Sequence, residues 1–92
     1  MIVRILTEGQ YNFPGAFVDE LNEIDNQLVE VVEREDSAEF DRLLKAMLDL
    51  VREKGKAVPT DELVESDLVL PEPDLTLEEA GELFTGEGLI PG

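Results

Sequence analysis

The spacing of apolar positions changes along this chain, and each change marks the start of a new element. Met1 to Thr7 carries Ile2, Val3, Ile5 and Thr7, a β-branched run that predicts a strand. Apart from Arg4 both faces of that run are apolar, so the strand is expected to be central and covered. Gly9 to Gly15, with Pro14 inside it, predicts turn structure. From Phe17 the period becomes helical: Phe17, Leu21, Ile24, Leu28 and Val31 share one stripe, and Asp19, Glu20, Glu23, Glu30 and Glu33 fall on other faces. This first helix is expected to end near Arg34.

"REDSAEF" resets the chain. Asp36 with Glu39 three residues on, or Ser37 alone, can cap a second helix. Its stripe is Phe40, Leu43, Leu44, Met47, Leu48 and Val51, and Gly55 supplies a stop. So short a connection predicts an antiparallel helical hairpin with the two stripes buried against each other. Extended structure then returns. Leu68-Val69-Leu70, bounded by Ser66-Asp67 and Pro71, is the second strand, and Ala57-Val58 is a candidate third. Thr76 and Glu79 form a capping box for a short last helix, with Leu77, Ala80, Leu83 and Phe84 inward. The expected fold is a single α+β domain over residues 1–92. A small two- or three-stranded sheet is packed by a helical hairpin and a short C-terminal helix. The long helical connection leaves the direction of the strand pair open.

Charge changes this picture most. The formal net charge is −16, and every Lys and Arg lies in the first 56 residues, from Arg4 to Lys56. Such a surface repels phosphate backbones and anionic headgroups, which argues against nucleic-acid binding and against direct membrane insertion or anchoring. Partners are expected to offer Lys and Arg, or to bind through an apolar patch. No basic-then-apolar leader opens the chain, and no stretch approaches the roughly 20 apolar residues that span a bilayer, so a cytoplasmic protein is expected.

Candidate chemistry is thin. Neither Cys nor His occurs, which removes disulfides, thiolate metal sites and the commonest acid–base group. Ser37 and Ser66 each sit beside an Asp at an element boundary, where capping accounts for them. Glu78-Glu79 fall in a first helical turn, where the helix dipole favours negative charge. "DNQLVE" and "PDLTLEE" lack the central Gly of a calcium loop. In "GELFTGEG" the place of a phosphate-binding Lys is taken by Glu87. No catalytic residue, metal ligand or cofactor is therefore expected. The rival reading is a small metal-dependent enzyme, or accessory domain, built on clustered carboxylates. It requires several acids converging in one pocket.

Two polar expectations remain. Arg4, among apolar neighbours, is expected to be partly buried and paired with Asp25 or Asp67; the competing expectation is that it reaches solvent from an edge strand. Tyr11, Phe13 and Phe17 cluster around Pro14 and read as a lid on the core. In the tail, Leu89 and Ile90, followed by Pro91, are too apolar to prefer open solvent.

Taken together, "MIVRI…EGQY", "LNEID", "SDLVLPEPDLTLEE" and "EGLIPG" resemble the small PspA-associated family, PspAA, over nearly the whole chain. The resemblance implies an accessory, without enzymatic activity, to PspA proteins. Those are helical, coiled-coil, membrane-remodelling proteins related to ESCRT-III that act in envelope-stress responses. It implies that such a protein is the partner, and that any approach to the membrane would be peripheral, through that partner. It brings no established binding residues. On physical grounds Tyr11, Leu89, Ile90 and Pro91 are the candidate partner contacts, with core closure the better account of Tyr11. A homodimer is a further expectation, because a small sheet leaves edges needing cover.

Overall fold

The computed structural model describes residues 1–59, 61–62 and 64–83. Strand β1 (Ile2–Ile5) turns into β2 (Gly9–Asn12), and a 3-10 turn over Gly15–Phe17 leads into α1 (Val18–Arg34). Helix α2 (Ser37–Lys54), β3 (Lys56–Ala57), β4 (Leu68–Leu70) and α3 (Leu77–Leu83) follow. The class is α+β. The sheet has four strands in the order β3-β2-β1-β4, with β1 antiparallel to β2 and parallel to β4.

The helices end where local chemistry says they should. Asp36, in extended backbone, accepts a hydrogen bond from the Glu39 N–H at 3.2 Å, so the cap of α2 is Asp36 and Ser37 is its first residue. Between α1 and α2 stand only Glu35, in left-handed backbone at φ 56°, and Asp36. The Asp36 N–H closes back on the Val31 carbonyl at 3.2 Å. A connection this short folds the two helices into a hairpin. The α2 stripe of Phe40, Leu43, Leu44, Met47, Leu48 and Val51 is buried, joined by Leu50. On α1, Leu21, Leu28 and Val31 are buried with Val29, whereas Phe17 and Ile24 are only half-buried. Thr76 and Glu79 cap α3 reciprocally: the Thr76 hydroxyl donates to Glu79 Oε1 at 3.0 Å, and the Glu79 N–H donates to Thr76 Oγ1 at 3.3 Å. On α3, Ala80 is buried; the side chains of Leu83 and Phe84, expected to face inward, lie outside the described residues.

Val3, Ile5, Leu68 and Leu70 join the helical stripes in one core, so the helices lie on one side of the sheet. Three expectations are corrected here. The sheet has four strands where two or three were expected, because residues 9–12 add one. Residues 9–12 are a strand and not a turn: Gly9 through Asn12 pair residue for residue with Ile5 through Ile2. The first strand is central, but it is not covered on both faces, since Arg4 and Leu6 are exposed.

Strands β3 and β4 occupy opposite edges, so the chain between them must cross the sheet, and its described residues are 58–59, 61–62 and 64–67. Gln10 shows on which side they cross. Its Nε2 donates to the Val64 carbonyl at 2.9 Å and to Ser66 Oγ at 2.8 Å, and Gln10 is the ladder partner of Arg4, on the side away from the helices. The crossover is tied again at its end: the Ile2 N–H donates to Asp67 Oδ2 at 2.7 Å and the Asp67 N–H to the Ile2 carbonyl at 2.7 Å.

Candidate interaction surface

Alternation along β1 sends Val3 and Ile5 into the core, and Ile2, Arg4 and Leu6 the other way. Paired residues on neighbouring strands share a face, so the register sets Gln10 and Val69 on either side of Arg4. The outer face therefore reads Gln10, Arg4, Val69 across three strands. Val64, carried on the crossover, stands over Gln10. Among the described residues the exposed large hydrophobics are Val69 at 47%, Leu6 at 40% and Val64 at 40%. All three border this face. Arg4, Gln10 and Val64 line one cleft of about 420 Å³, together with Glu8, Val58 and Glu62. Lys56, opposite Asn12, marks the far edge.

Arg4 corrects the expectation of a partly buried pair. It is exposed and, among the described residues, makes no ion pair. Asp67 takes the Ile2 N–H, and Asp25 is fully buried on α1 within the helical layer on the other side of the sheet. The physical reason is parity: one residue either side of Arg4 points to the helices, and Arg4 itself points where no described helix lies. Asp25 is engaged in an interaction of its own, and among the described residues no buried side-chain oxygen or nitrogen lacks a partner.

The end of the face near Leu6 is fastened by an ion pair. Arg52 on α2 donates through Nε to Glu8 Oε1 at 2.8 Å, through Nη2 to Glu8 Oε2, and through Nη1 to Asp49 Oδ1 at 2.9 Å. The Arg52 hydrogen bond holds the Glu8 carboxyl below its ordinary pKa, and the same bond raises that of the guanidinium. The pair locks the β1–β2 turn, in which Thr7 has a φ of 75°, against the last turn of α2.

Of the residues proposed from sequence as partner contacts, Tyr11 lies on the inward side of β2. It is half-buried against the core, beside Gly55 at the end of α2. Leu89, Ile90 and Pro91 lie outside the described residues. Leu6, Val64 and Val69 were not singled out from the sequence. The signal was present in Arg4, because a charge within an otherwise apolar strand marks the face that stays open. Among the described residues no three acidic or other metal-ligating side chains come together. No described helix is long and apolar enough to cross a membrane.

This geometry defines a small acidic α+β scaffold whose described helices lie on one face of the sheet. All of residues 1–92 match the model of the PspA-associated protein family, PspAA, and the chain belongs to that family. No curated protein and no solved structure matches it.

Proposed function

We propose that this chain is a non-enzymatic accessory that binds a PspA-like coiled-coil protein and modulates its membrane-remodelling activity in the envelope-stress response. It would work in the cytoplasm and reach the membrane only through that partner. Membership of the PspA-associated family over the full 92 residues is the observation that carries this reading. Physical chemistry supports it in two ways. A chain without His or Cys has few means of acid–base or nucleophilic catalysis. A net charge of −16 favours a partner surface rich in Lys and Arg, and steers its approach.

The test is direct binding of the purified chain to the PspA protein encoded in the same genome, measured at low and at high salt. Saturable binding that weakens as salt rises is the expected result. No binding at either salt would end the accessory reading. If binding is found, vesicle-remodelling assays with the PspA protein, with and without this chain, report whether the accessory activates or restrains it.

A further inference from the structure

We propose that the outer face of the sheet is the docking surface, and that its occupant is an amphipathic helix of the PspA-like partner seated between Val64 and Val69 over Arg4. This rests on the accessory reading above and adds to it the surface and the chemistry of the segment bound.

The width of the site argues for a helix. Val69 belongs to β4 and Val64 stands over β2, with β1 and Arg4 between them. Two inter-strand spacings of about 4.8 Å each separate the apolar ridges by roughly 10 Å. That is close to the roughly 10–12 Å diameter of a helix with its side chains. Leu6 closes one end of the strip. An added strand would pair along a sheet edge, whereas the two ridges and Arg4 project from the face of the sheet, and at β2 that face already carries Val64 and Ser66.

Charge selects the occupant. A second copy would bring another −16 and set Glu62, which lines the cleft, and the chain's other exposed acids against their own duplicates. A helix flanked by Lys and Arg meets those acids favourably. Arg4 adds a finer requirement. Covered by a partner it would lose water, and a desolvated cation without a counter-charge is strongly unfavourable. The docked stripe must therefore be apolar with one Asp or Glu inside it, opposite Arg4. An apolar stripe interrupted by a single acid and bordered by bases can be sought in the partner's own sequence.

The experiment measures the affinity of the full chain for the PspA protein of the same genome, with Val69→Asp, Arg4→Glu and the remote control Glu33→Lys, each checked by circular dichroism. Val69→Asp and Arg4→Glu both make the chain more acidic. Attraction by overall charge alone would tighten binding, whereas docking on this face predicts at least a tenfold loss for each, about 1.4 kcal/mol. Glu33→Lys, exposed on α1, should change affinity less than threefold. Val69→Ser serves if the aspartate variant unfolds. Wild-type binding that the face variants leave unchanged or tighter overturns the docking surface and spares the accessory function. No wild-type binding removes both. A wild-type dimer in light scattering that Val69→Asp dissolves would give the face to a second copy and overturn the proposal.

Discussion

Three glycine-to-alanine variants separate two effects that the fold keeps apart: crowding and backbone conformation. Gly55 ends α2 in extended backbone (φ −82°, ψ 160°), a conformation alanine adopts freely. On chain entropy alone Gly55→Ala would gain about 0.4–1 kcal/mol. The space forbids it. An added Cβ would stand 2.5 Å from the Val51 carbonyl oxygen and 3.1 Å from the Tyr11 Cβ. An unstrained carbon–oxygen contact needs roughly 3.3 Å or more. The offending oxygen is backbone in the last turn of α2, accepting the Gly55 N–H at 2.8 Å, so it cannot swing aside. Overpacking costs about 1–3 kcal/mol, and a contact this short with a fixed oxygen belongs to the upper part of that range, about 2–3 kcal/mol, leaving a net loss of about 1–2.6 kcal/mol. For a domain of this size that lowers Tm by about 4–20 °C. Gly9 has nothing within 4 Å of an added Cβ but sits at φ 120°, so Gly9→Ala isolates strain and should cost about 1–3 kcal/mol. Gly15 has open space and no such φ, so Gly15→Ala should be neutral or raise stability by up to about 1 kcal/mol. Thermal and urea unfolding followed by circular dichroism measures all three. A Gly55→Ala protein as stable as the wild type would refute the close approach of Gly55 to the Val51 carbonyl at the end of α2.

Thr7 is β-branched and held at φ 75°, where Asn is tolerated far better; Thr7→Asn should raise stability by about 1 kcal/mol, and an unchanged or lowered Tm would count against strain in that turn. Asp36→Ala removes the α2 cap and should cost about 0.5–2 kcal/mol, read as a lower urea midpoint at constant m-value. Arg52→Met breaks the tie to Glu8, which with side chains 33% and 26% exposed contributes about 0.2–1 kcal/mol at pH 7. Glu8 has its folded pKa lowered from the ordinary 4.5, so its contribution is complete above 4.5 and is lost as pH falls through the lowered value. The stability gap between wild type and Arg52→Met should therefore narrow below pH 4.5; a constant gap from pH 7 to pH 3 would mean that the pair is not formed in solution.

Helices were legible because their signals are local. Asp36, Gly55 and the Thr76–Glu79 box mark ends, and the period of Phe40 to Val51 marks the buried side, so reading one turn at a time suffices. Strand β2 was not legible, because Gly9-Gln10-Tyr11-Asn12 has no β-branched residue and turn-forming residues at both ends. It is a strand through its pairing with β1, a tertiary effect that overrides propensity. Arg4 failed in a similar way. Its alternation was visible, but how many layers cover the sheet depends on where the helices land. Val69 stands in an apolar run, Leu68-Val69-Leu70, and its outward direction follows only from its register with Arg4. Asp25, between Leu21 and Leu28, stands out in the sequence as a polar residue in an apolar stripe and is buried there, but on the opposite side of the sheet from Arg4.

A sheet with helices on one side and a strip of Leu6, Val64 and Val69 on the other would ordinarily invite association with its own copies. The charge of −16 opposes that, and the same acids set the sign of any partner that does approach. One set of charges thereby acts on two equilibria in opposite directions. Raising salt from about 0.01 M to about 1 M shortens the screening length from roughly 30 Å to roughly 3 Å. Self-repulsion within the folded chain weakens, so the urea midpoint should rise. Attraction to a basic-flanked helix weakens as well, so the affinity for the PspA protein should fall over the same range. The two titrations can be run on one preparation. A fold that loses stability with salt would mean that the acids are held by compensating contacts and do not repel one another. A complex that tightens with salt would mean that apolar burial, and not charge, dominates its affinity, and the basic flanks required of the docked helix would have to be given up.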